Sequence, residues 1–220
     1  MRSTGLVEDA DKTSRARLRD AAILCFARDG FGASVRSIAT EAGVSAGLII
    51  HHFGSKQALR DNCDSQVLAI TRETKQQSIR EVTAGKSLLH RCAAADEQGP
   101  LLGYIVRSLQ DGGAVASAFI EHLIADAVAY CADGVRAGLL HPSLDEPARA
   151  RYLTLSAMGA LLLEIQLRPP ADPADLSALV REFMSTSYLP MLELYTQGVF
   201  TTRRPLEEYL LTVPDRSPAE

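Results

Sequence analysis

Several residue types and patterns are missing from this sequence, and each absence excludes a class of protein. The 220 residues contain no Trp and only six Tyr and six Phe. Because β-branched and aromatic runs of strand length are also scarce, an extended sheet is not expected. No apolar stretch approaches the roughly 18 to 20 residues of a membrane-spanning helix, and the polar, acidic N-terminus lacks the apolar segment of a secretion signal. We therefore expect a cytoplasmic protein.

Motifs of catalytic, cofactor and metal chemistry are missing too. The four cysteines, Cys25, Cys63, Cys92 and Cys131, are scattered, with no CxxC pair and no histidine at a metal-ligand spacing. Buried free thiols are the expected state, and a redox-sensing pair is the alternative. The sequence has no P-loop, GxSxG, HExxH or dinucleotide-binding glycine motif. An enzyme, a cofactor and a metal site are therefore not expected.

The charged residues that are present are unevenly distributed. The net charge is −4, yet residues 12–60 carry eight Lys or Arg against three Asp or Glu, whereas residues 61–220 carry 14 against 21. A basic N-terminal part joined to an acidic body is consistent with contact to phosphates at one end of the molecule.

Ala and Leu dominate the composition, and apolar residues recur at helical spacing, which together predict an all-α protein. Ser34, Ser45 and Ser55 are good N-caps for the helices that follow them. Residues 1–12 are expected to form a disordered arm and residues 215–220 a frayed tail. The predicted helices cover residues 14–29, 35–42, 45–53, 56–81, 86–95, 98–111, 114–138, 146–167 and 173–199, with a short helix after Pro205.

The second and third predicted helices have the features of a DNA-reading helix-turn-helix. Two helices that cross closely need a small residue, which Ala39 supplies, and a turn residue that tolerates positive φ, which Gly43 supplies. Ile49 and Phe53 are four residues apart, so they share the face that anchors the second helix. The opposite face, which would meet the major groove of DNA, carries Ala46, Gly47, Ile50 and His51.

A close resemblance to the TetR family of regulators lies in residues 34–59, SVRSIATEAGVSAGLIIHHFGSKQAL, and in the preceding AAILCFARDGF of residues 21–31. The resemblance implies an all-α homodimer. It has an N-terminal three-helix helix-turn-helix DNA-binding domain over residues 13–60, joined to a helical ligand-binding and dimerisation domain over residues 61–214. The implied function is a repressor released from a palindromic operator by a small-molecule effector. The alternative is a degenerate member that binds a ligand or partner without reading DNA.

Carried over by position, the resemblance implies DNA contacts along the motif. Arg36 would contact a base or a phosphate, and Lys56 would bind phosphate. Ser34 and Ser45 would reach phosphates from helix N-termini, where backbone N–H groups also point. The residues expected to face base edges are Ala46, Gly47 and His51.

The recognition face departs from the family pattern and is unusually apolar. The family usually has an aromatic residue, typically Tyr, where this chain has Ile50, and frequently a lysine where it has Ala46. Ile50 cannot reach a phosphate, but it can pack against a sugar or a thymine methyl group. Arg36, His51 and the basic stretch from Lys12 to Arg19 are therefore expected to carry more of the binding.

The resemblance also implies an effector pocket and a dimer interface in the body. The residues on helices that would surround the pocket are Tyr104, Arg107, Phe119, His122 and Tyr130, each of which could instead be plain core or surface. An apolar or amphipathic effector is expected. Residues 153–167 are almost uniformly apolar and predict a four-helix dimer interface with residues 176–194, although a buried central helix would look similar. The interface candidates are Ala157, Gly159, Ala160, Leu163, Met184 and Tyr188.

Overall fold

The architecture is that of a computed structural model, which describes residues 4–86, 95–170, 172 and 175–212. Within those residues the secondary structure is helical and no strand occurs, which confirms the predicted all-α class. The helices are α1 (Thr4–Asp29), α2 (Val35–Ala42), α3 (Ala46–Phe53), α4 (Lys56–Thr83), α5 (Ala95–Asp111), α6 (Gly113–Arg136), α7 (Glu146–Leu167), α8 (Leu176–Gln197) and α9 (Arg204–Leu210).

Serine caps set the beginnings of α2, α3 and α4, as the sequence predicts. Ser34 Oγ accepts a hydrogen bond from the backbone N–H of Ser37 at 3.0 Å, and Ser55 Oγ accepts one from Ala58 at 3.0 Å. Ser45 Oγ accepts the equivalent bond at the start of α3 at 3.3 Å. The bonds accepted by Ser34 and Ser55 satisfy backbone donors at the helix N-termini, and the N–H of Leu48 is shared between the side chain and the carbonyl oxygen of Ser45.

The helix bounds differ from the predictions mainly at two places. Residues 4–12, which the sequence assigns to a disordered arm, are helical and belong to α1. The predicted break between residues 95 and 98 does not occur, since α5 begins at Ala95 and continues through Pro100, which lies in its second turn and removes only one backbone bond there. Most of the predicted helix over residues 86–95 and the frayed tail over residues 215–220 lie outside the described residues.

One buried core joins the first four helices to the body. Leu18 of α1, Ile38 of α2 and Ile49 of α3 lie in the same apolar cluster as Tyr104 of α5 and Phe119 of α6. The described residues up to Phe183 accordingly form one compact unit, and those from Met184 onward form a second. This division does not coincide with the domain boundary that the sequence predicts between residues 60 and 61.

Three cysteines lie buried as free thiols within the part of the chain that the structure describes. They are Cys25, Cys63 and Cys131; Cys92 lies outside it. Burial raises the pKa of the Cys63 thiol to about 12, and burial also raises that of Cys25. Since the thiolate is the reactive form, burial makes Cys25 and Cys63 poorly reactive, and both pack as small apolar residues.

Helix α6 is long and apolar enough, by length and composition alone, to cross a membrane, which corrects the expectation that no such segment exists. Glu121 and Asp126 lie among the apolar residues of this helix, so it does not stand out as one long apolar run in the sequence. Phe119 and Leu123 of α6 are buried in the main core, while Ala127 and Cys131 are buried against α7. The apolar composition of α6 therefore supplies the core of the body.

Candidate nucleic-acid interface

Helices α2 and α3 form a tight helix-turn-helix that is anchored from beneath. Ala39 is 3% exposed, and Ile38 and Ile49 are fully buried. Gly43 ends α2 in the left-handed region with φ 68° and ψ 35°, and the N–H of Val44 donates to the carbonyl of Ala39 at 2.9 Å. The close crossing, the positive-φ turn and the buried anchors are confirmed as the sequence predicts.

The face of α3 opposite these anchors is exposed. Gly47, Ile50 and His51 are all exposed there. Ala46, which was expected on the same face, is only half-buried and packs against the core. The structure thus brings three of the four predicted base-facing residues together, and their contact with bases stays a prediction.

Three arginines around α3 are exposed. The side chain of Arg36 of α2 makes no hydrogen bond or ion pair with any residue that the structure describes, and it is exposed. Arg15 of α1 places its guanidinium 5.0 Å from the centroid of the Phe53 ring at the end of α3, and Arg17 of α1 is also exposed. Arg19, the last residue of the predicted basic stretch, pairs with Asp20 at 3.1 Å. Arg15 belongs to the predicted basic stretch from Lys12 to Arg19, and its contact with Phe53 ties it to α3, which the sequence did not predict.

Two other cations of the N-terminal helices contact Phe31, in the turn between α1 and α2. Lys56 Nζ donates to the carbonyl oxygen of Phe31 at 2.7 Å. The guanidinium of Arg60 lies 3.5 Å from the centroid of the Phe31 ring and pairs with Asp111 at 2.8 Å. Lys56 was expected to bind phosphate, and an ammonium group has two further N–H donors for that purpose.

Arg28 is also paired with neighbouring groups of the protein. It pairs with Asp29 at 2.9 Å and with Glu41 of α2 at 3.2 Å. The hydrogen bonds from Arg28 lower the pKa of the Asp29 carboxyl below its ordinary value. These pairs neutralise two of the three acidic side chains between residues 12 and 60, and the third, Asp20, is paired with Arg19.

Two of the predicted effector contacts, Tyr104 and Arg107 of α5, are tied to the N-terminal helices. Tyr104 is fully buried, packs its ring against Phe26 and Phe31, and donates its hydroxyl to Asp64 Oδ1 at 2.7 Å. Burial raises the pKa of both Tyr104 and Asp64 above their ordinary values. The role of Asp64 could not be predicted from the sequence, because its partner Tyr104 lies 40 residues away along the chain.

The other three predicted effector contacts are dispersed. Phe119 is buried in the main core. His122 is exposed, with its Nδ1 2.8 Å from the carbonyl oxygen of Ala118. Tyr130 packs beside the second apolar cluster, and burial raises its pKa to about 12. The structure does not gather these residues around one space.

Two cavities in the body are lined by different residues. One, of about 440 Å³, lies between the end of α4 and the end of α6 and is lined by Gln76, Ile79, Arg80, Thr83, Ala84, Asp133 and Ala137. The other, of about 340 Å³, lies at the end of α7 and includes Glu164, Ile165 and Phe183. None of the five predicted effector contacts lines either cavity, so these contacts stay a prediction.

Helix α7 presents an exposed apolar face that includes part of the predicted dimer interface. Leu163 is 64% exposed and Ala160 is exposed, whereas Ala157 and Gly159 are half-buried. The same face also carries Tyr152, Leu155 and Leu167, which are exposed and lie at helical spacing along α7. A helix buried on all sides, the alternative left open by the sequence, does not describe α7. In the second unit, Met184 and Tyr188 of α8 are half-buried.

Comparisons with known proteins agree with this architecture. The family described as "Bacterial regulatory proteins, tetR family" matches residues 18–63, and the family described as "Tetracyclin repressor-like, C-terminal domain" matches residues 96–201. The HTH-type transcriptional regulatory protein RaaS of Mycobacterium tuberculosis is 41% identical over 204 residues, which cover 93% of this chain and 95% of RaaS.

Solved structures share the fold at low sequence identity. The transcriptional regulator FadR of Bacillus subtilis, solved in complex with stearoyl-CoA, has a TM-score of 0.52 at 18% identity, over 84% of this chain and 99% of FadR. A tetR-family transcriptional regulator of Streptomyces coelicolor has a TM-score of 0.53 at 17% identity, over 94% of this chain and 92% of that protein. At these identities the likeness shows the fold alone.

Proposed function

The chain belongs to the TetR family of transcriptional regulators, and on that premise we propose that it is a homodimeric repressor which leaves a palindromic DNA operator when a small molecule binds its body. The observation that carries the proposal is the exposed face of α3, with Gly47, Ile50 and His51 held above buried anchors and Arg36 exposed beside it. We propose no catalytic role, since the family is one of regulators, and we place the protein in the cytoplasm with its DNA.

The expected DNA site follows from a dimer with two-fold symmetry. Two copies of α3 would enter successive major grooves on one side of the duplex, roughly 34–36 Å apart. The two half-sites would then be inverted repeats of each other. Ser34 and Ser45 would contact phosphates together with the backbone N–H groups at the starts of their helices, and Lys56 would add a further phosphate contact.

The proposed dimer interface is formed by α7 and α8. Four large apolar side chains, Tyr152, Leu155, Leu163 and Leu167, are exposed along α7, and a second copy of the chain would bury them. Ala157, Gly159 and Ala160 are small enough to let two helices approach closely, and Leu163 would lie at the contact. From α8, Met184 and Tyr188 would contribute.

Effector release requires that the ligand prefer one of two arrangements of the chain. We propose an apolar or amphipathic effector that binds in the body. Because α5 is bonded to α1 through Arg107 and to α4 through Tyr104, a ligand that displaces α5 would also displace the DNA-binding helices. Phe119, His122 and Tyr130 are the proposed contacts on α6, with Tyr104 and Arg107 on α5.

Selection of bound sequences from random duplex DNA, with the purified chain at about 150 mM salt, tests the proposal. We expect a two-fold symmetric motif to be enriched. A variant with Arg36→Ala and His51→Ala should bind the enriched duplex about tenfold more weakly or worse. Arg136→Ala is the matched control, because among the described residues Arg136 forms its ion pair with Asp133 of the same helix, and the substitution should leave affinity unchanged. Enrichment of no motif, or of a single asymmetric half-site by a pure dimer, would contradict the proposal.

A further inference from the structure

One large apolar side chain, Ile50, stands alone on the exposed face of α3. It is 44% exposed, while its neighbours Ile49 and Phe53 are 0% and 7% exposed. Among residues 34–56, all of which the structure describes, it is the one large hydrophobic residue that is exposed. Core packing therefore does not account for isoleucine at this position.

The helix leaves the surroundings of Ile50 open. Gly47 lies one turn before it and has no side chain, and the methyl group of Ala46 is half-buried against the core. The fold does not demand a glycine at residue 47: its backbone is not in the left-handed region, and a Cβ there would meet only Ser45 Oγ at 3.9 Å. The absence of a side chain at this position instead allows close approach of another surface to Ile50.

Helix α3 lacks the side chains that read bases by paired hydrogen bonds. Its sequence, AGLIIHHF, contains no Arg or Lys to pair with guanine and no Asn or Gln to pair with adenine. His51 is its exposed polar side chain. Base discrimination opposite Ile50 must therefore come from apolar contact. Thymine is the one base that presents a methyl group in the major groove.

We propose that Ile50 is a specificity-determining residue, which contacts the 5-methyl group of a thymine in each half of the DNA site. The inference rests on the proposed function, since it needs α3 to enter the major groove. The inference names the chemical group of DNA that α3 recognises. At that base pair, contact with the thymine methyl group, and not a hydrogen bond, would discriminate between bases.

Replacement of single thymines by deoxyuridine tests this contact, because the exchange removes the methyl group and leaves base pairing intact. The probe is the duplex that the wild-type chain enriches from random DNA, and binding is measured by fluorescence anisotropy. We expect one symmetry-related pair of thymines at which each exchange weakens wild-type binding about fourfold, the effect of one buried methyl group. Ile50→Ala should bind the thymine and deoxyuridine duplexes equally well.

A reciprocal exchange separates the methyl group from the rest of the base. With a cytosine–guanine pair at the sensitive position, 5-methylcytosine should bind the wild-type chain about fourfold more tightly than cytosine does. Ile50→Ala should show no difference. Ile70→Ala is the matched control, because Ile70 is a similarly exposed isoleucine of α4, at 37%, and should keep the full sensitivity to the methyl group.

The outcomes distinguish the inference from the function on which it rests. If the wild-type chain binds a symmetric duplex but no thymine is sensitive to loss of its methyl group, the role of Ile50 is overturned and the proposed function stands. The same holds if the sensitivity persists unchanged in Ile50→Ala. If no duplex is enriched, the proposed function fails and the role of Ile50 fails with it. The wild-type exchanges need no variant, so the result does not depend on how Ile50→Ala folds.

Discussion

Arg107 caps the C-terminus of α1 across 79 residues of sequence. Its Nη2 donates to the carbonyl oxygen of Arg28 at 2.9 Å, and its Nε donates to that of Ala27 at 3.3 Å. The last carbonyls of a helix lack partners within it and carry the negative end of its dipole, so a guanidinium there satisfies both hydrogen bonding and charge. The body thereby fixes the end of α1 from which α2 and α3 follow.

Arg107→Ala should lower the free energy of unfolding by about 1–3 kcal/mol, because it leaves two partly buried carbonyl oxygens without a donor. Urea unfolding followed by circular dichroism measures the change. Arg168→Ala is a suitable control, since Arg168 is an exposed arginine that pairs with Glu164 one turn earlier in α7 and should cost no more than about 0.5 kcal/mol. Equal effects of the two substitutions would show that the cap adds no stability.

Tyr104→Phe should also lower the free energy of unfolding by about 1–3 kcal/mol, because it leaves the half-buried Asp64 carboxylate without its hydroxyl donor. Asp64→Asn in the same background should recover part of the loss, since a neutral amide is less costly to bury than a carboxylate. Urea unfolding of the two single variants and the double variant measures the coupling. Strictly additive changes would contradict a direct bond between the side chains.

The same pair predicts a dependence of stability on pH. Burial raises the pKa of Asp64 in the folded chain above its ordinary value of 3.8. A carboxyl with a raised pKa favours the folded state while it is protonated, so its contribution is complete below pH 3.8 and is lost as the pH rises through the raised pKa. Asp64→Asn should therefore gain stability relative to the wild type as the pH rises from about 4 to 7. A constant difference over that range would contradict the raised pKa.

Gly43→Ala should destabilise the chain by about 1–2 kcal/mol, because its φ of 68° is a left-handed conformation that alanine adopts at a cost. Space is not the cause, since a Cβ at Gly43 would have no neighbour within 4 Å. Gly47→Ala is the matched control: Gly47 lies in the first turn of α3 with ordinary helical backbone and should be neutral or slightly stabilised by alanine. Thermal unfolding of both variants, monitored by circular dichroism at 222 nm, distinguishes the cost of backbone strain at Gly43 from the general effect of replacing a glycine by alanine.

Leu163→Glu should weaken the proposed dimer at least about tenfold, because two-fold symmetry buries the new carboxylate of each protomer in an apolar interface. Sedimentation velocity over a range of protein concentrations measures the dissociation. Leu144→Glu is the control, since Leu144 is 76% exposed and lies between α6 and α7. An unchanged dimer in Leu163→Glu would place the interface elsewhere.

The helix-turn-helix could be predicted from the sequence because its determinants are local. Serine caps, a glycine at the turn and anchors four residues apart act within one or two helical turns. The bonds from Arg107 to Arg28 and from Tyr104 to Asp64 could not, since tertiary packing alone brings these residues together. Helical spacing also does not tell a core residue from a pocket residue, so Phe119 and Tyr130 were equally compatible with both. The extension of α1 to Thr4 carries no apolar periodicity that would have predicted it.

Several cations of the N-terminal helices are already paired with protein groups, and this affects how the protein would search a chromosome. Arg28, Lys56 and Arg60 bind neighbouring protein groups and Arg19 pairs with Asp20, which leaves Arg15, Arg17 and Arg36 as the arginines of residues 14–60 that face solvent without an ion pair among the described residues. Two copies each of Arg15, Arg17 and Arg36 would give about six phosphate contacts per dimer, and the proposed contact of Lys56 would raise the count to about eight, so the slope of log affinity against log salt should lie between about −5 and −7. A slope of this size means that affinity for random DNA falls steeply as salt rises, so at physiological salt more copies should stay available to the effector and to the specific site.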